Sequence, residues 1–274
     1  MTRLPMLKIL DPALATVAPS IRNRLLAELA PDDLARVAPY LESVELEFGL
    51  VLHEPNARIQ YVYFPTTGAV SMMVVSPDGA VEVGSVGNEG FAGIAALLHA
   101  DFLPTRALVQ APGQAYRMKV PVFRMLITES DTMQQLFSRY TLAFLNQVAQ
   151  SVACNRLHSL ESRCARWLLM THDRIDGDQI RLTHESLSYM LGVHRPAVTL
   201  AAGVLQKAGF IDYTRGLIKI TNRPGLEGAA CACYQIMRRG YDDLLQSGQA
   251  VAGAATFSSE RREHVPSAAD SAPS

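Results

Sequence analysis

The spacing of apolar positions changes period several times along the chain, and each change predicts an element boundary. Ile21, Leu25 and Leu29, then Leu34, Val37 and Leu41, recur at helical intervals on either side of Pro31-Asp32-Asp33, which predicts two short helices within 14–40. From residue 44 the pattern turns to short β-type runs at 44–48, 51–53, 61–64, 69–75, 81–86, 106–110 and 115–118. Turn residues such as Pro65-Thr66-Thr67-Gly68, Pro77-Asp78-Gly79 and Pro112-Gly113 stand between them. Regularly spaced short strands of this kind predict an antiparallel β-roll or barrel. One apolar segment, 91–98, interrupts them as a short helix.

Helical spacing returns over 130–159. Met133, Phe137, Tyr140, Phe144, Val148 and Val152 form one stripe, while Leu136, Leu142 and Leu145 fall outside it. A helix that is apolar on more than one side needs two partners. The expected arrangement packs one face on the roll and places Met133, Phe137, Tyr140, Phe144 and Val148 against the same helix of a second subunit. A further helix carrying Trp167 follows at 163–170, and Asp176-Gly177-Asp178 turns the chain into its last folded unit.

The segment 182–220 predicts a short helix, a glycine turn, a second helix and a hairpin. Thr183 is placed to cap the first helix, Glu185 sits in its first turn, and Gly192 supplies the turn. The second helix, 194–208, has Pro196 in its first turn and Gly209 at its end. At about 100° per residue, Val198, Ala201, Leu205 and Ala208 form a packing face, while Arg195, Pro196, Thr199, Gly203 and Gln206 form a free face. The order is that of a winged helix-turn-helix, whose second helix enters the DNA major groove. There a guanidinium fork matches the two acceptors of guanine, which makes Arg195 the candidate base reader. The turn 214–216 puts Arg215 at the wing tip, aimed at phosphate. The expected fold is therefore α+β. N-terminal helices (1–43) precede an antiparallel β-roll (44–129), a dimerisation helix (130–159), a winged helix-turn-helix (160–246) and an Ala/Ser/Pro-rich tail (247–274) expected to be disordered.

A net charge of −1 over 274 residues gives no global basic signature, so a DNA footprint must be local. The first residues show neither a signal peptide nor a membrane span, and a cytoplasmic protein is expected. Four cysteines, Cys154, Cys164, Cys231 and Cys233, then read as structural thiols. If 224–245 is one helix, the side chains of Cys231-x-Cys233 point about 200° apart, with no companion ligand pair nearby. No metal site is expected. His184-Glu185 lacks the second His of a zinc-protease motif, because position 188 is Ser, and the spacing of Gly84, Gly87 and Gly90 fits no dinucleotide-binding fingerprint. A cupin-like metalloenzyme is the alternative from another class, but the roll offers only His53 and His99 with Glu54, Glu82 and Glu89 scattered. No catalysis is expected.

Roll, long helix and winged reader in this order resemble the Crp/Fnr superfamily of transcription regulators over roughly residues 34–220. The resemblance implies a homodimer on a palindromic double-stranded operator, with RNA polymerase as a candidate partner. It implies guanine readout by Arg195 and phosphate contacts at His184 and His194, while Thr183, Pro196 and Thr199 complete the expected contact set. The family's Glu and second Arg are replaced here by Pro196 and Leu200. The roll resembles a cyclic-nucleotide-binding domain with a degenerate pocket. Gly93 is kept, but Ile94 stands for the Glu that would hold the ribose, Thr105 for the Arg that would hold the phosphate, and Val148 and Ala149 for the hydroxyl residues that would meet adenine. Arg106 lies one place late, on the opposite face of an alternating strand. A cyclic-nucleotide-responsive regulator remains the alternative within the family. Oxygen sensing through an iron–sulfur cluster is not expected, because no cysteine precedes position 154.

Overall fold

The computed structural model describes residues 21–246, so the tail expected at 247–274 and the start of the N-terminal helical segment lie outside the described residues. Two short helices, α1 (Arg24–Ala27) and α2 (Pro31–Val37), open the described chain, the second with Pro31 in its first turn. Asn23 accepts from the Leu26 N–H at 3.0 Å and donates to the carbonyls of Pro65 and Gly90, each at 2.8 Å. The cap of α1 is thus also its anchor to the roll.

Seven strands build the roll: β1 (Glu42–Leu46), β2 (Val51–His53), β3 (Tyr61–Pro65), β4 (Ala69–Ser76), β5 (Gly79–Val86), β6 (Thr105–Ala111) and β7 (Gly113–Lys119). They pair antiparallel in two sheets, ordered β1-β7-β3 and β2-β6-β4-β5. Val44, Leu46, Val70, Met72, Val86, Ala107, Val109 and Ala115 fill the space they enclose. Between β5 and β6 only α3 (Ile94–Leu97) is helical, shorter than the 91–98 expected, because Gly93 takes a left-handed φ of 118° immediately before it.

Helix α4 (Val120–Thr128), not anticipated from the sequence, links the roll to α5 (Asp131–Leu157), which Ser130 caps by accepting from the Met133 N–H at 3.2 Å. Phe64, Phe91, Phe123, Phe137 and Tyr140 pack as one aromatic cluster with ring centroids 5.1–6.5 Å apart. This corrects the expected dimer stripe. Met133, Phe137 and Tyr140 are 2%, 1% and 0% exposed, because the roll and α4 already cover them within one chain. Phe144 packs half-buried against Gly84, and Val148 is half-buried. The outward apolar face carries Leu142, Leu145 and Val152 instead.

After α5 the chain turns at His158 and Ser159 into α6 (Leu160–His172), then β8 (Gln179–Arg181), α7 (His184–Leu191), α8 (Arg195–Lys207), β9 (Ile211–Thr214) and β10 (Leu217–Ile220). The strand β8 was not anticipated; it pairs with β10 in a small sheet ordered β8-β10-β9. Trp167, Leu168, Leu187, Val198, Leu205 and Ile218 form the core of this unit. The single helix expected at 224–245 is two, α9 (Arg223–Ala229) and α10 (Cys233–Gln246), because the backbone is extended at Ala230. Helix α10 runs back along α5, where the Tyr140 and Tyr241 rings lie 6.0 Å apart.

The reader unit is seated on the roll through polar contacts as well as apolar ones. Arg174, just past α6, meets Glu89 of the β5–α3 loop at 2.6 Å and donates to Ser85 Oγ at 2.6 Å. Its carbonyl accepts from the Gly68 N–H at 2.7 Å. A Cβ on Gly87 would come within 2.3 Å of the Arg174 side chain, so the loop must be glycine there.

Candidate nucleic-acid interface

Helix α7 starts where expected, because the Thr183 hydroxyl accepts from the Ser186 N–H at 3.0 Å. It ends at Gly192, whose φ of 62° closes the turn. After Val193 and His194, α8 runs with Pro196 in its first turn. Val198, Ala201, Ala202 and Leu205 are buried. Ala208, expected on this packing face, is exposed because the helix ends at Lys207. His194, Arg195, Pro196, Thr199 and Gln206 are exposed, as expected of a free face.

Beside that face lie two exposed apolar side chains, Leu200, noted above at the position of the family's second Arg, and Val204, which was not singled out; they are 72% and 51% exposed. Their signal was available in the helical wheel, since both fall outside the buried stripe. Solvated apolar groups on a polar helix face suit the thymine methyl group of the major groove.

Thr199 and His184 are engaged with each other. The Thr199 hydroxyl lies 2.9 Å from His184 Nδ1, and the His184 ring stacks on Tyr213 of β9 with centroids 4.2 Å apart. Desolvation, then the nearby Arg195 charge, lower the His184 pKa, so the ring is held neutral. His184 thus ties α7, α8 and the wing together, and Thr183 serves as the cap. Arg195 is the exposed cation in the first turn of α8, and Lys207 is the exposed cation in its last turn.

The wing is a two-residue hairpin, with Thr214 paired to Leu217 and Arg215-Gly216 at the tip. Both turn residues have positive φ, 39° and 84°, the signature of a type I′ turn that matches strand twist. Arg215 sits exposed at the tip where it was expected, although Thr214 belongs to the strand rather than the turn.

Side chains of α5 press on the roll backbone at Gly84 and Gly90. A Cβ on Gly84 would meet Phe144 and Gln147 at 3.0 Å, and one on Gly90 would overlap Tyr140. Gln147 accepts from the Ser85 N–H at 2.8 Å and donates to the Ser85 carbonyl at 3.2 Å. Arg106 points outward to Glu54 at 2.8 Å. A cleft of about 230 Å³ lies beside α10, and of the ionic groups lining it Arg24 is paired with Asp242, Arg174 with Glu89, and Asp173 with Arg223, while Arg238 is exposed at its edge.

The cysteines correct another expectation. Cys231 precedes α10 and Cys233 is its first residue, so they do not diverge as they would inside a helix. Cys154 and His158, one turn apart at the end of α5, are the companions missed from the sequence. Among the described residues, His53, His99, Glu54, Glu82 and Glu89 form no comparable group.

Compared with known families, the region built around α6 to α9 matches one description, over residues 162–229. That description is a Crp-like helix-turn-helix domain, to which those residues are similar. Three solved structures are similar to the chain as a whole. A transcriptional regulator described as of the Crp/Fnr family from Eubacterium rectale shares 16% identity at a TM-score of 0.59, over 75% of this chain and 96% of that one. A CRP-family transcriptional regulator from Thermus thermophilus shares 16% at 0.57, over 68% and 95%. FixK2 from Bradyrhizobium japonicum shares 15% at 0.57, over 70% and 98%. At this identity the likeness shows the fold alone: the chain shares the roll, long helix and C-terminal helix-turn-helix order of those structures. No curated protein matches the sequence. Among the described residues no helix is long and apolar enough to cross a membrane.

Proposed function

We propose that the protein is a cytoplasmic, homodimeric transcription regulator that places α8 in the major groove of each half of a palindromic operator. The observation that carries this reading is the pairing of an exposed recognition helix, headed by Arg195, with a type I′ wing carrying Arg215. Arg195 takes guanine, Leu200 and Val204 meet thymine methyl groups, and Arg215 holds phosphate. Thr183, His184 and Thr199 hold the reader's internal geometry, while His194 and Pro196 lie beside the backbone at the helix entry. RNA polymerase is the protein partner this role calls for.

The dimer forms through the other side of α5. Ser138, Leu142, Leu145, Ala149, Val152 and Arg156 are all exposed and follow alternating steps of four and three, the spacing of a coiled-coil seam. Leu142, Leu145 and Val152 are 49%, 61% and 68% exposed in the single chain, which a partner helix would cover.

The roll does not take a cyclic nucleotide. Tyr140, Phe144 and Gln147 fill the approach, and Arg106 is turned away. Genome-wide capture of bound DNA tests the reading as a whole: a palindromic motif recovered with wild type and lost with Arg195→Ala is expected. Uniform recovery of random DNA by both would overturn it. Calorimetry with cyclic AMP and cyclic GMP tests the roll, and low-micromolar binding would overturn that part alone.

A further inference from the structure

Cys154, His158, Cys231 and Cys233 offer one ligand atom each, and all four atoms lie within 4.8 Å of one another. Cys154 Sγ is 3.4 Å from Cys231 Sγ, and Cys233 Sγ is 3.5 Å from His158 Nδ1. A tetrahedral zinc ion, with Zn–S about 2.3 Å and Zn–N about 2.0 Å, sets its ligand atoms roughly 3.5–3.8 Å apart. The two sulfurs are far beyond disulfide length and close to that edge. We propose that these four residues form a mononuclear zinc site of the Cys3His type.

The chemistry of the donors selects the ion. Three thiols and an imidazole are soft ligands that suit zinc and disfavour magnesium or calcium. Iron–sulfur clusters spread their cysteines over separate irons, whereas these four atoms converge on one point. A closed set of four protein ligands is the structural rather than the catalytic form.

The surroundings fit a negatively charged centre, since three thiolates and one Zn²⁺ leave one negative charge. Arg163 and Arg166 are 8% and 6% exposed, and the Nε of each lacks a hydrogen-bond partner. Arg166 Nη1 faces the sulfurs of Met170 and Met237, and the group also lies within electrostatic reach of Glu82. Both guanidinium groups lie within electrostatic reach of Cys154. Gln150 Nε2 donates to Cys233 Sγ at 3.0 Å, an outer-shell hydrogen bond to a ligand.

The site joins parts distant in sequence. Cys154 lies in the last turn of α5, His158 caps that helix at the joint with α6, and Cys231 and Cys233 flank the start of α10. The ion therefore fixes α10 to α5 at the point where the chain passes from roll to reader. This inference is independent of any DNA sequence the reader binds.

The test uses the full-length, untagged chain under reducing conditions. Elemental analysis is expected to give one zinc per chain. After chelation, Co²⁺ is expected to restore one equivalent with thiolate charge-transfer absorption and the visible bands of tetrahedral cobalt. Loss of an outer-shell partner typically weakens metal binding by about 10–100-fold, so Gln150→Ala should fall in that range and Cys231→Ser and His158→Gln beyond it. Cys164→Ser, buried elsewhere in the reader core, should leave the stoichiometry unchanged. A wild-type chain that is folded by circular dichroism yet gives no tetrahedral cobalt spectrum overturns the site, and that measurement stands even if a ligand variant fails to fold. A spectrum unchanged in Cys231→Ser and His158→Gln overturns it equally.

Discussion

The indole N–H of Trp167 donates to Glu82 Oε1 at 3.0 Å, joining α6 of the reader to β5 of the roll. Glu82 is also bonded to Ser71, and Ser71 to Gln110, whose Nε2 reaches Thr171 Oγ1 at 3.4 Å. Ser71 has a single hydroxyl proton and cannot donate to both acceptors. A protonated Glu82 resolves this, donating to Ser71 Oγ, which then donates to Gln110 Oε1.

Burial pushes the Glu82 carboxyl up to about 7, with the Ser71 and Trp167 hydrogen bonds opposing the shift. In the unfolded chain the same carboxyl ionises near its ordinary value, so between the two the folded state holds the extra proton. Stability from this group is therefore complete at pH values below the ordinary carboxyl value and is lost as pH rises through about 7. The loss is on the order of 3 kcal/mol. Glu82→Gln, which keeps a donor and an acceptor, should flatten this part of the profile. Denaturant titrations of both proteins across that range, followed by Trp167 fluorescence, check it; parallel profiles would show that Glu82 is ionised throughout.

The Arg174–Glu89 pair is the second tie between roll and reader, both side chains 5–7% exposed. Removing one partner of such a pair leaves a buried charge without compensation, at about 3–5 kcal/mol. Arg174→Met is expected to destabilise by that amount, and Glu89→Leu added to it should restore much of the loss. Equilibrium unfolding of the wild type, both singles and the double gives the coupling directly.

On α5, position decides the kind of effect. Leu145→Asp, on the exposed stripe, should leave the chain folded but monomeric in sedimentation. Tyr140→Ala, in the aromatic cluster, should cost about 3–5 kcal/mol of stability with no change in oligomeric state. An intact Leu145→Asp dimer would move the seam elsewhere.

In the reader, Arg195→Ala should cost about 1–3 kcal/mol per half-site and relax preference at one base pair, whereas Arg215→Ala should weaken binding to all sequences alike. Binding assays over a salt series separate the two, because loss of a phosphate contact lowers the slope by about 1 per wing. The same salt slope for Arg215→Ala as for wild type would take the wing off the DNA.

The roll strands and the reader were legible because their signals are local: alternation, turn glycines, a capping Thr183. Helix α4 was not read, although Val120, Phe123, Leu126 and Ile127 recur at helical spacing and Pro121 stands in its first turn. On α5 both apolar stripes were visible, but sequence alone does not say which one the roll takes. The aromatic stripe went inward because Phe64, Phe91 and Phe123 wait for it there. The cysteine cluster depends on Cys154 and Cys231 meeting across a separation of 77 residues, and on a helix break at Ala230 whose nearest sequence sign is Gly228. Its local signs were Cys231-x-Cys233 and the spacing Cys154-x-x-x-His158 at the end of α5.

Gln147 binds both backbone groups of Ser85, as a neighbouring strand would, and β5 is the outermost strand of its sheet. Helix α7 packs along the same strand. An uncovered outermost strand is a template for adding further chains. The long helix and the reader therefore also cover that edge, and a roll cut free of them is expected to stack into aggregates through β5.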